Sequence, residues 1–376
     1  MRVAFYHDDD NGLNHGELLT RASSGTVMSL LNLVKALSNE GHEVLVLSKA
    51  ESKIIDRVTY IKLDGEDEVL EWYKNNKIDA FVAVGRTGKI LKTISKEKKS
   101  KLIYWHHNYL DVKGIAELTK KNLVDHIVAV SPHHMSSLYK YLIFSDISYI
   151  RNPVDFSLFD SFDIRQEERT GFAYVGNISK AKGFDSVIAL YEAYKRIGGQ
   201  EKLHVYGSNS LYCSTNTLIE RHDFTEDFIS KVEKLTFDND LILHGKVNRY
   251  DLYKALSERK ILLCGLNKTG GAESAGMGMV EAQYLGCKVL TYNRGGQPDS
   301  VFARESISRV NEKILLKNLV ELEEKNKLDL TETRLWLEER YGMNQISNQW
   351  IGLINGDKYL GRHYHAVTAR IKSLFK

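Results

Sequence analysis

The feature that most constrains the fold of this chain is the alternation of short, continuously apolar runs with segments of helical periodicity. An unbroken apolar run of this length is typical of a strand covered on both faces of a parallel sheet. Strands that alternate with helices predict βαβ units and therefore a Rossmann-like α/β architecture. A charged stretch, residues 160–170, divides the runs into two sets and is predicted to be a linker. The predicted strands are residues 2–6, 43–48, 79–85, 101–106, 126–131 and 147–152 in the first set, and 171–177, 202–207, 240–247, 260–266 and 288–293 in the second.

Composition limits the classes of protein to which the chain belongs. Its 376 residues are enough for two ordinary domains, and 43% hydrophobic with 27% charged residues is typical of a globular protein. A net charge of +3 gives no argument for a nucleic-acid partner. The three cysteines predict reduced core thiols rather than a disulfide framework. The N-terminus lacks a signal-peptide core and no apolar run approaches the roughly 20 residues of a membrane span, so a cytoplasmic location is expected.

The stretch Gly270–Gly296 carries the first candidate site. Glu273 and Glu281 lie on a predicted strand–loop–helix unit, with a glycine-rich loop between them. Backbone N–H groups at the start of that helix, at Gly276, Met277 and Gly278, are predicted to bind an anion. Ionised carboxylates accept hydrogen bonds from sugar hydroxyls. The combination predicts a ligand that carries both phosphate and sugar.

The stretch Tyr174–Asp185 carries the second candidate site. A predicted strand ends there in a polar turn, and the pair Lys182-Gly183 opens the next helix. Lys182 offers a flexible positive charge, and the helix start offers N–H donors. These features predict a phosphate clamp.

Together these stretches resemble the retaining GT-B glycosyltransferases of family 4. Glu273, seven residues, Glu281 and Ala282 match the glutamate signature of that family, and Lys182 matches the lysine of its phosphate motif. The chain departs at Asn177, where the family has an arginine. A further departure is Ser24, which precedes Gly25 where the family has a glycine pair, and Asn152-Pro153-Val154-Asp155 is similar to its crossover between domains.

The resemblance implies a GT-B fold: two Rossmann-like parallel-sheet domains facing each other across a cleft, with a C-terminal helix crossing back to the first domain. The expected domains are residues 1–155 on the acceptor side, 156–340 on the donor side, and 341–376 as the returning helices. It also implies transfer of a sugar, with retention, from a nucleotide diphosphate sugar to a hydroxyl of a glycan or lipid-linked acceptor. No cofactor or metal is required by this design. UDP and GDP sugars both remain open as donors.

The resemblance also implies roles for individual residues. Glu281 would hold the donor ribose, and Glu273 would lie beside the sugar at the reacting centre. Lys182, with Asn177 and the amides at Gly276–Gly278, would bind the diphosphate. The expected contacts of the first domain are Gly25 and a histidine after the fourth predicted strand, for which His106 is preferred over His107. Lys246 and Val247 would receive the base.

Several alternatives stay open from the sequence. Asp8-Asp9-Asp10 contains the metal-binding pattern of the other glycosyltransferase fold, but it follows the first strand, so a solvated loop is favoured. The basic, aromatic tail from Asp357 fits either an amphipathic contact with an anionic membrane or packing on its own protein, which is favoured. A nucleotide-sugar epimerase or hydrolase, a phosphorylase and a non-catalytic binding module are the rival functions.

Overall fold

The computed structural model describes residues 1–8, 12–109, 112–139, 146–208, 224–268, 273–325 and 328–357. They form two compact units. Unit 1 comprises Met1–Leu18, Gly25–Asp155 and the C-terminal part from Arg340, and unit 2 comprises Leu19–Ser24 and Phe156–Glu339. Residues 209–223 and the basic, aromatic tail from residue 358 lie outside the described residues.

Unit 1 is built on a sheet with the strand order β3-β4-β2-β1-β5-β6-β7-β8. All described neighbours in it are parallel except β3 and β4. The strands are β1 (Arg2–Tyr6), β2 (Glu43–Ser48), β3 (Lys53–Ile55), β4 (Val58–Lys62), β5 (Ala80–Val84), β6 (Lys101–Trp105), β7 (His126–Ala129) and β8 (Asp146–Tyr149). The helices between them are α1 (Gly25–Asn39), α2 (Glu66–Asn75), α3 (Ile90–Ile94), α4 (Val112–Lys120) and α5 (Pro132–Leu138).

The hairpin β3–β4 is absent from the sequence prediction. Its two turn residues, Asp56 and Arg57, have φ angles of 45° and 68°. Hairpin turns of this kind usually have aspartate or asparagine followed by glycine, because these residues adopt positive φ most readily, and here Arg57 replaces the glycine. The turn was therefore not recognisable from its residue types.

Unit 2 is built on a wholly parallel sheet with the strand order β11-β10-β9-β12-β13-β14. Its strands are β9 (Phe172–Val175), β10 (Leu203–Tyr206), β11 (Leu241–Gly245), β12 (Ile261–Leu263), β13 (Lys288–Tyr292) and the two-residue β14 (Ile307–Ser308). Its helices are α6 (Phe184–Arg196), α7 (Glu226–Phe237), α8 (Arg249–Glu258), α9 (Met277–Tyr284), α10 (Glu312–Glu324) and most of α11 (Leu330–Tyr341). The expected fold class, two parallel-sheet α/β units, is confirmed.

The helix α12 (Met343–Asn355) returns to unit 1, as expected, and packs against α1. Trp350 is fully buried there, with its ring 5.0 Å from that of Trp105 and 6.2 Å from that of Phe5. The backbone N–H of Val154 donates to the carbonyl of Tyr341 at 2.8 Å. Trp336, on α11, contacts Phe302 in unit 2.

No helix in the described part of the chain combines the length and the apolar composition that crossing a membrane would require.

Candidate functional site

The two candidate stretches meet at one edge of the sheet of unit 2. Strands β9 and β12 are parallel neighbours, so the loops that follow them leave the same edge. Lys182 lies on the turn after β9, and Glu273 lies on the loop between β12 and α9. The Nζ atom of Lys182 is 2.6 Å from Oε1 of Glu273, although the residues are 91 positions apart. Both side chains are partly exposed, at 44% and 28%, so a ligand can compete for either charge.

Gly183 determines the position of the turn that carries Lys182. Its φ angle is +75°, and a Cβ atom there would lie 2.3 Å from the backbone nitrogen of Asn267. A side chain at this position would therefore push the turn away from the loop that follows β12. The glycine of the Lys-Gly pair is thus required by the close approach of the two loops.

Glu281 has a different environment from Glu273. It lies on α9, is only 4% exposed, and its two oxygens have separate partners. The Nη1 atom of Arg249 donates to Oε2 at 3.0 Å, and the hydroxyl of Tyr253 donates to Oε1 at 3.2 Å. Both partners lie on α8, one helical turn apart, so they present their side chains on the same face. Neither partner is predictable from the sequence, because nothing in the sequence pairs α8 with α9.

Charge states within this cluster follow from its burial. Burial disfavours the charge on Arg249, but the Glu281 carboxylate and Tyr253 outweigh it and raise the pKa of the guanidinium. Burial, followed by the Glu281 charge, raises the pKa of Tyr253, which keeps its hydroxyl protonated. Tyr253 is therefore a hydrogen-bond donor to Glu281, and Arg249 is a cation.

The framework that carries this cluster is held by Arg169. This side chain is 6% exposed and donates to the carbonyls of Leu256 and Arg259 near the end of α8, at 3.3 and 2.8 Å. It also donates to the carbonyl of Leu285 at the end of α9. A cation at converging helix C-termini is favoured by the helix dipoles. Arg169 therefore fixes the ends of the two helices that bring Arg249 and Glu281 together.

The predicted anion site at the start of α9 needs one correction. The N–H of Gly276 donates to Oγ of Ser300 at 3.0 Å, so this amide is already used inside the protein. Among the described residues, none accepts a hydrogen bond from the N–H groups of Met277 and Gly278, the first two residues of α9. The amides that remain for an anion are therefore those of Met277 and Gly278.

Asn177 stands where the family has an arginine, and Arg294 is a candidate to compensate for the missing charge, because it contacts the loop after β12 that adjoins Gly183. The Nη1 atom of Arg294 donates to the carbonyl of Asn267 at 2.5 Å. The backbone carbonyl of Asn177 accepts from the hydroxyl of Tyr174 at 2.6 Å. Lys246 and Val247 lie on the loop between β11 and α8, at the same sheet edge as Lys182.

The predicted residues of the first domain, Gly25 and His106, lie in unit 1. Gly25 is the first residue of α1. His106 follows β6 and is 1% exposed, and its Nδ1 atom is 3.0 Å from Nε2 of His134. The neighbouring His107 is 4% exposed, and its ring lies 4.6 Å from that of Trp105.

His134 has partners on both ring nitrogens. Its Nδ1 atom accepts a hydrogen bond from the N–H of Val130, so its Nε2 atom carries the proton. The Nε2 atom lies 3.0 Å from Nδ1 of His106 and 3.3 Å from the carbonyl oxygen of Asn108. Burial, with a smaller contribution from His106, lowers the pKa of His134 to about 3, so the His134 ring is neutral near pH 7.

Other reactive groups have simple surroundings. Asp8 pairs with Lys49 at 3.0 Å, whereas Asp9 and Asp10 lie outside the described residues. The described residues contain no group of three or more histidine, cysteine or acidic side chains placed to hold a metal ion. Burial raises the pKa of both Cys264 and Cys287 to about 12, so neither thiol is ionised near neutral pH.

Comparisons with known proteins identify a family model and a fold. Residues 159–329 match the sequence model of the family glycosyl transferases group 1. The match includes Lys182, Glu273 and Glu281. The comparison with curated proteins found no match.

Solved structures resemble the chain over almost its whole length. HepE of Anabaena, in complex with UDP, has a TM-score of 0.69 at 15% identity and covers 95% of this chain and 100% of its own. Sucrose-phosphate synthase from Thermosynechococcus elongatus has a TM-score of 0.71 at 12% identity, covering 95% and 98%. The catalytic domain of starch synthase IV from Arabidopsis thaliana, bound to ADP and acarbose, has a TM-score of 0.66 at 11% identity, covering 94% and 98%. The fold is GT-B. Together with the family match, the GT-B fold supports nucleotide-sugar glycosyltransfer.

Proposed function

We propose that this protein is a retaining glycosyltransferase that moves a sugar from a nucleotide diphosphate sugar to an acceptor hydroxyl. The observation that carries the proposal is the contact between Lys182 and Glu273. A lysine suited to phosphate and a carboxylate suited to sugar hydroxyls meet at the carboxyl edge of a parallel sheet. Both lie within the stretch that matches glycosyl transferases group 1.

The donor is bound by unit 2 in this proposal. The Glu281 carboxylate accepts from the ribose hydroxyls, and Lys182 with the amides of Met277 and Gly278 neutralises the diphosphate. When the donor binds, phosphate oxygens replace Glu273 as the partner of Lys182. Sugar hydroxyls replace Lys182 as the partner of Glu273. Lys246 and Val247 lie where the base would enter. The departure at Asn177 leaves the clamp with one fixed charge fewer than the family pattern.

The chemical step is displacement of the diphosphate from the anomeric carbon. The acceptor hydroxyl attacks on the face that the diphosphate leaves, and its proton passes to an oxygen of the departing phosphate. Lys182 and the amides of α9 are aimed at the charge that builds on that phosphate, which is electrostatic stabilisation of the transition state. No protein nucleophile is assigned. His106 contacts the donor sugar in this proposal.

A thermal-shift screen tests donor binding. UDP, GDP and ADP are compared, because solved relatives of the fold contain UDP in one case and ADP in another. A nucleotide at 100 times its dissociation constant adds about 2.7 kcal/mol to the free energy of unfolding. Lys182→Ala and Glu281→Ala should lose the shift. Lys180→Ala, which changes an exposed lysine on the same turn, should keep it.

The same nucleotide sugar then separates the rival functions. Following its anomeric signals by NMR with a panel of glycan and glycolipid acceptors should show a new glycoside with the donor configuration. A glycoside with the opposite configuration would contradict retention. Conversion of the donor to another sugar nucleotide, or its hydrolysis, would favour an epimerase or a hydrolase. Binding without any turnover would favour a non-catalytic module, and no nucleotide binding at all would contradict the proposed function.

A further inference from the structure

We propose that Arg249 and Tyr253 are positioning residues that orient the Glu281 carboxylate toward the vicinal hydroxyls of the donor ribose. The inference rests on the proposed function and assigns residues that the sequence pattern does not contain. Arg249, Tyr253 and Glu281 form one buried cluster between α8 and α9 in unit 2.

The hydrogen-bond count of Glu281 suits a diol. An ionised carboxylate offers about two acceptor positions on each oxygen. Among the described residues, Arg249 uses one position on Oε2 and Tyr253 uses one on Oε1. One position therefore remains on each oxygen, and these two positions match the two adjacent hydroxyls of a ribose. Because each partner holds a different oxygen, the plane of the carboxylate is fixed as well as its location.

Burial makes this arrangement depend on Arg249. The side chains of Arg249 and Glu281 are only 11% and 6% exposed. A buried carboxylate needs a partner of opposite charge to compensate for its lost hydration. Arg249 is that partner, and it contacts only Oε2, so Oε1 remains for Tyr253. Tyr253 packs against Phe159, with ring centroids 4.7 Å apart, which holds its hydroxyl in place.

A purely structural role is the competing explanation, because the ion pair also joins two helices. The two roles differ in what they do to ribose recognition. Loss of a structural contact would weaken binding of any nucleotide. Loss of a positioning contact would weaken only the part of the affinity that comes from the ribose hydroxyls.

The test measures affinity for UDP, GDP and ADP, each beside its 2′-deoxy counterpart, by titration calorimetry. Wild-type protein should prefer one ribonucleotide over its deoxy form by roughly tenfold or more, since a hydrogen bond to a charged acceptor contributes at least this much. Arg249→Lys should reduce that preference below about threefold. Tyr253→Phe should give an intermediate ratio. In both variants, affinity for the deoxynucleotide should change less than about twofold.

The matched control is Arg165→Lys, the same substitution in an exposed ion pair of unit 2. It should leave the ratio unchanged. Melting temperatures verify that each variant is folded. Tyr253→Phe removes only one hydroxyl, so its affinity ratio still tests the inference if Arg249→Lys does not fold. A retained tenfold preference in the folded variants, or an equal loss for both nucleotides, would overturn this inference alone. Failure of wild-type protein to bind any nucleotide would overturn the proposed function as well.

Discussion

The two glutamates of one short signature have opposite surroundings. Glu273 lies on a loop and pairs with Lys182, and both side chains are partly open to water. Glu281 lies on a helix and pairs with Arg249 in the interior of unit 2. Exposed ion pairs contribute little to stability, whereas breaking a buried pair leaves an uncompensated charge.

This difference divides the candidate site into an exchangeable part and a fixed part. A ligand can replace the partners of Glu273 and Lys182 at small cost, because water and salt already screen them. Glu281 keeps its protein partners and offers only its remaining acceptor positions. In the proposed function, Glu273 exchanges Lys182 for hydroxyls of the donor sugar, whereas Glu281 is already held in place by its protein partners.

The largest expected effect comes from breaking the buried pair. Arg249→Met should lower the free energy of unfolding by about 3–5 kcal/mol, because Glu281 is left buried without its cation. The double variant Arg249→Met with Glu281→Gln should lose less, since neither charge remains. Urea unfolding measures both, with Arg165→Met as the exposed control. An equal loss of unfolding free energy in the single and double variants would show that a buried, uncompensated charge on Glu281 is not the cause. Glu281 would then not differ from Glu273 in this respect.

The same contrast extends to neighbouring histidines of unit 1. His134 is fully buried, and His133 beside it is exposed. Burial lowers the pKa of His134 to about 3. Between its ordinary pKa near 6.5 and that value, the unfolded chain binds a proton that the folded chain does not. Stability should therefore fall as pH falls through this window, by at most about 1.4 kcal/mol per pH unit from this group.

Chemical denaturation between pH 7 and pH 4 measures this slope. His134→Gln should flatten it, because glutamine does not titrate. His133→Gln should change it much less. An unchanged slope in His134→Gln would show that other groups govern the acid sensitivity of unit 1.

A smaller effect on stability is expected at the exposed pair. Lys182→Met should change the free energy of unfolding by less than about 1 kcal/mol. Its nucleotide affinity should nevertheless fall about tenfold or more, because a charge-assisted bond to phosphate is lost. Lys180→Met is the control for both measurements. A destabilisation as large as that of Arg249→Met would contradict the assignment of Lys182 to an exposed pair whose partner a ligand can replace.

The smallest expected effect is that of salt on the two pairs. Raising the salt concentration from 0.1 to 1 M shortens the screening length from about 10 to about 3 Å. Nucleotide binding through Lys182 should weaken several-fold, whereas the destabilisation caused by Arg249→Met should stay nearly constant. Calorimetry and urea unfolding at both concentrations test this, and a strongly salt-dependent Arg249 effect would contradict its burial.

The sequence alone was sufficient for the fold class and for the strands at the centre of both sheets. Continuous apolar runs mark doubly covered parallel strands, and this signal is local. The strands β3, β4 and β14 were missed because they are short edge elements, and the turn between β3 and β4 places the positive φ of 68° on Arg57, a residue that rarely adopts it. Lys182, Glu273 and Glu281 were found because their motifs are short and continuous in the chain.

The tertiary structure decided the partners of those residues. That Lys182 meets Glu273 depends on the pairing of β9 with β12, and that Arg249 meets Glu281 depends on the packing of α8 against α9. The occupied amide of Gly276 and the His106–His134 pair likewise join residues distant in sequence. The sequence determined which chemical groups the site contains, because composition and periodicity are written along the chain. Only the folded structure decided which groups are buried, charged and paired, because those properties arise from contacts between separate elements.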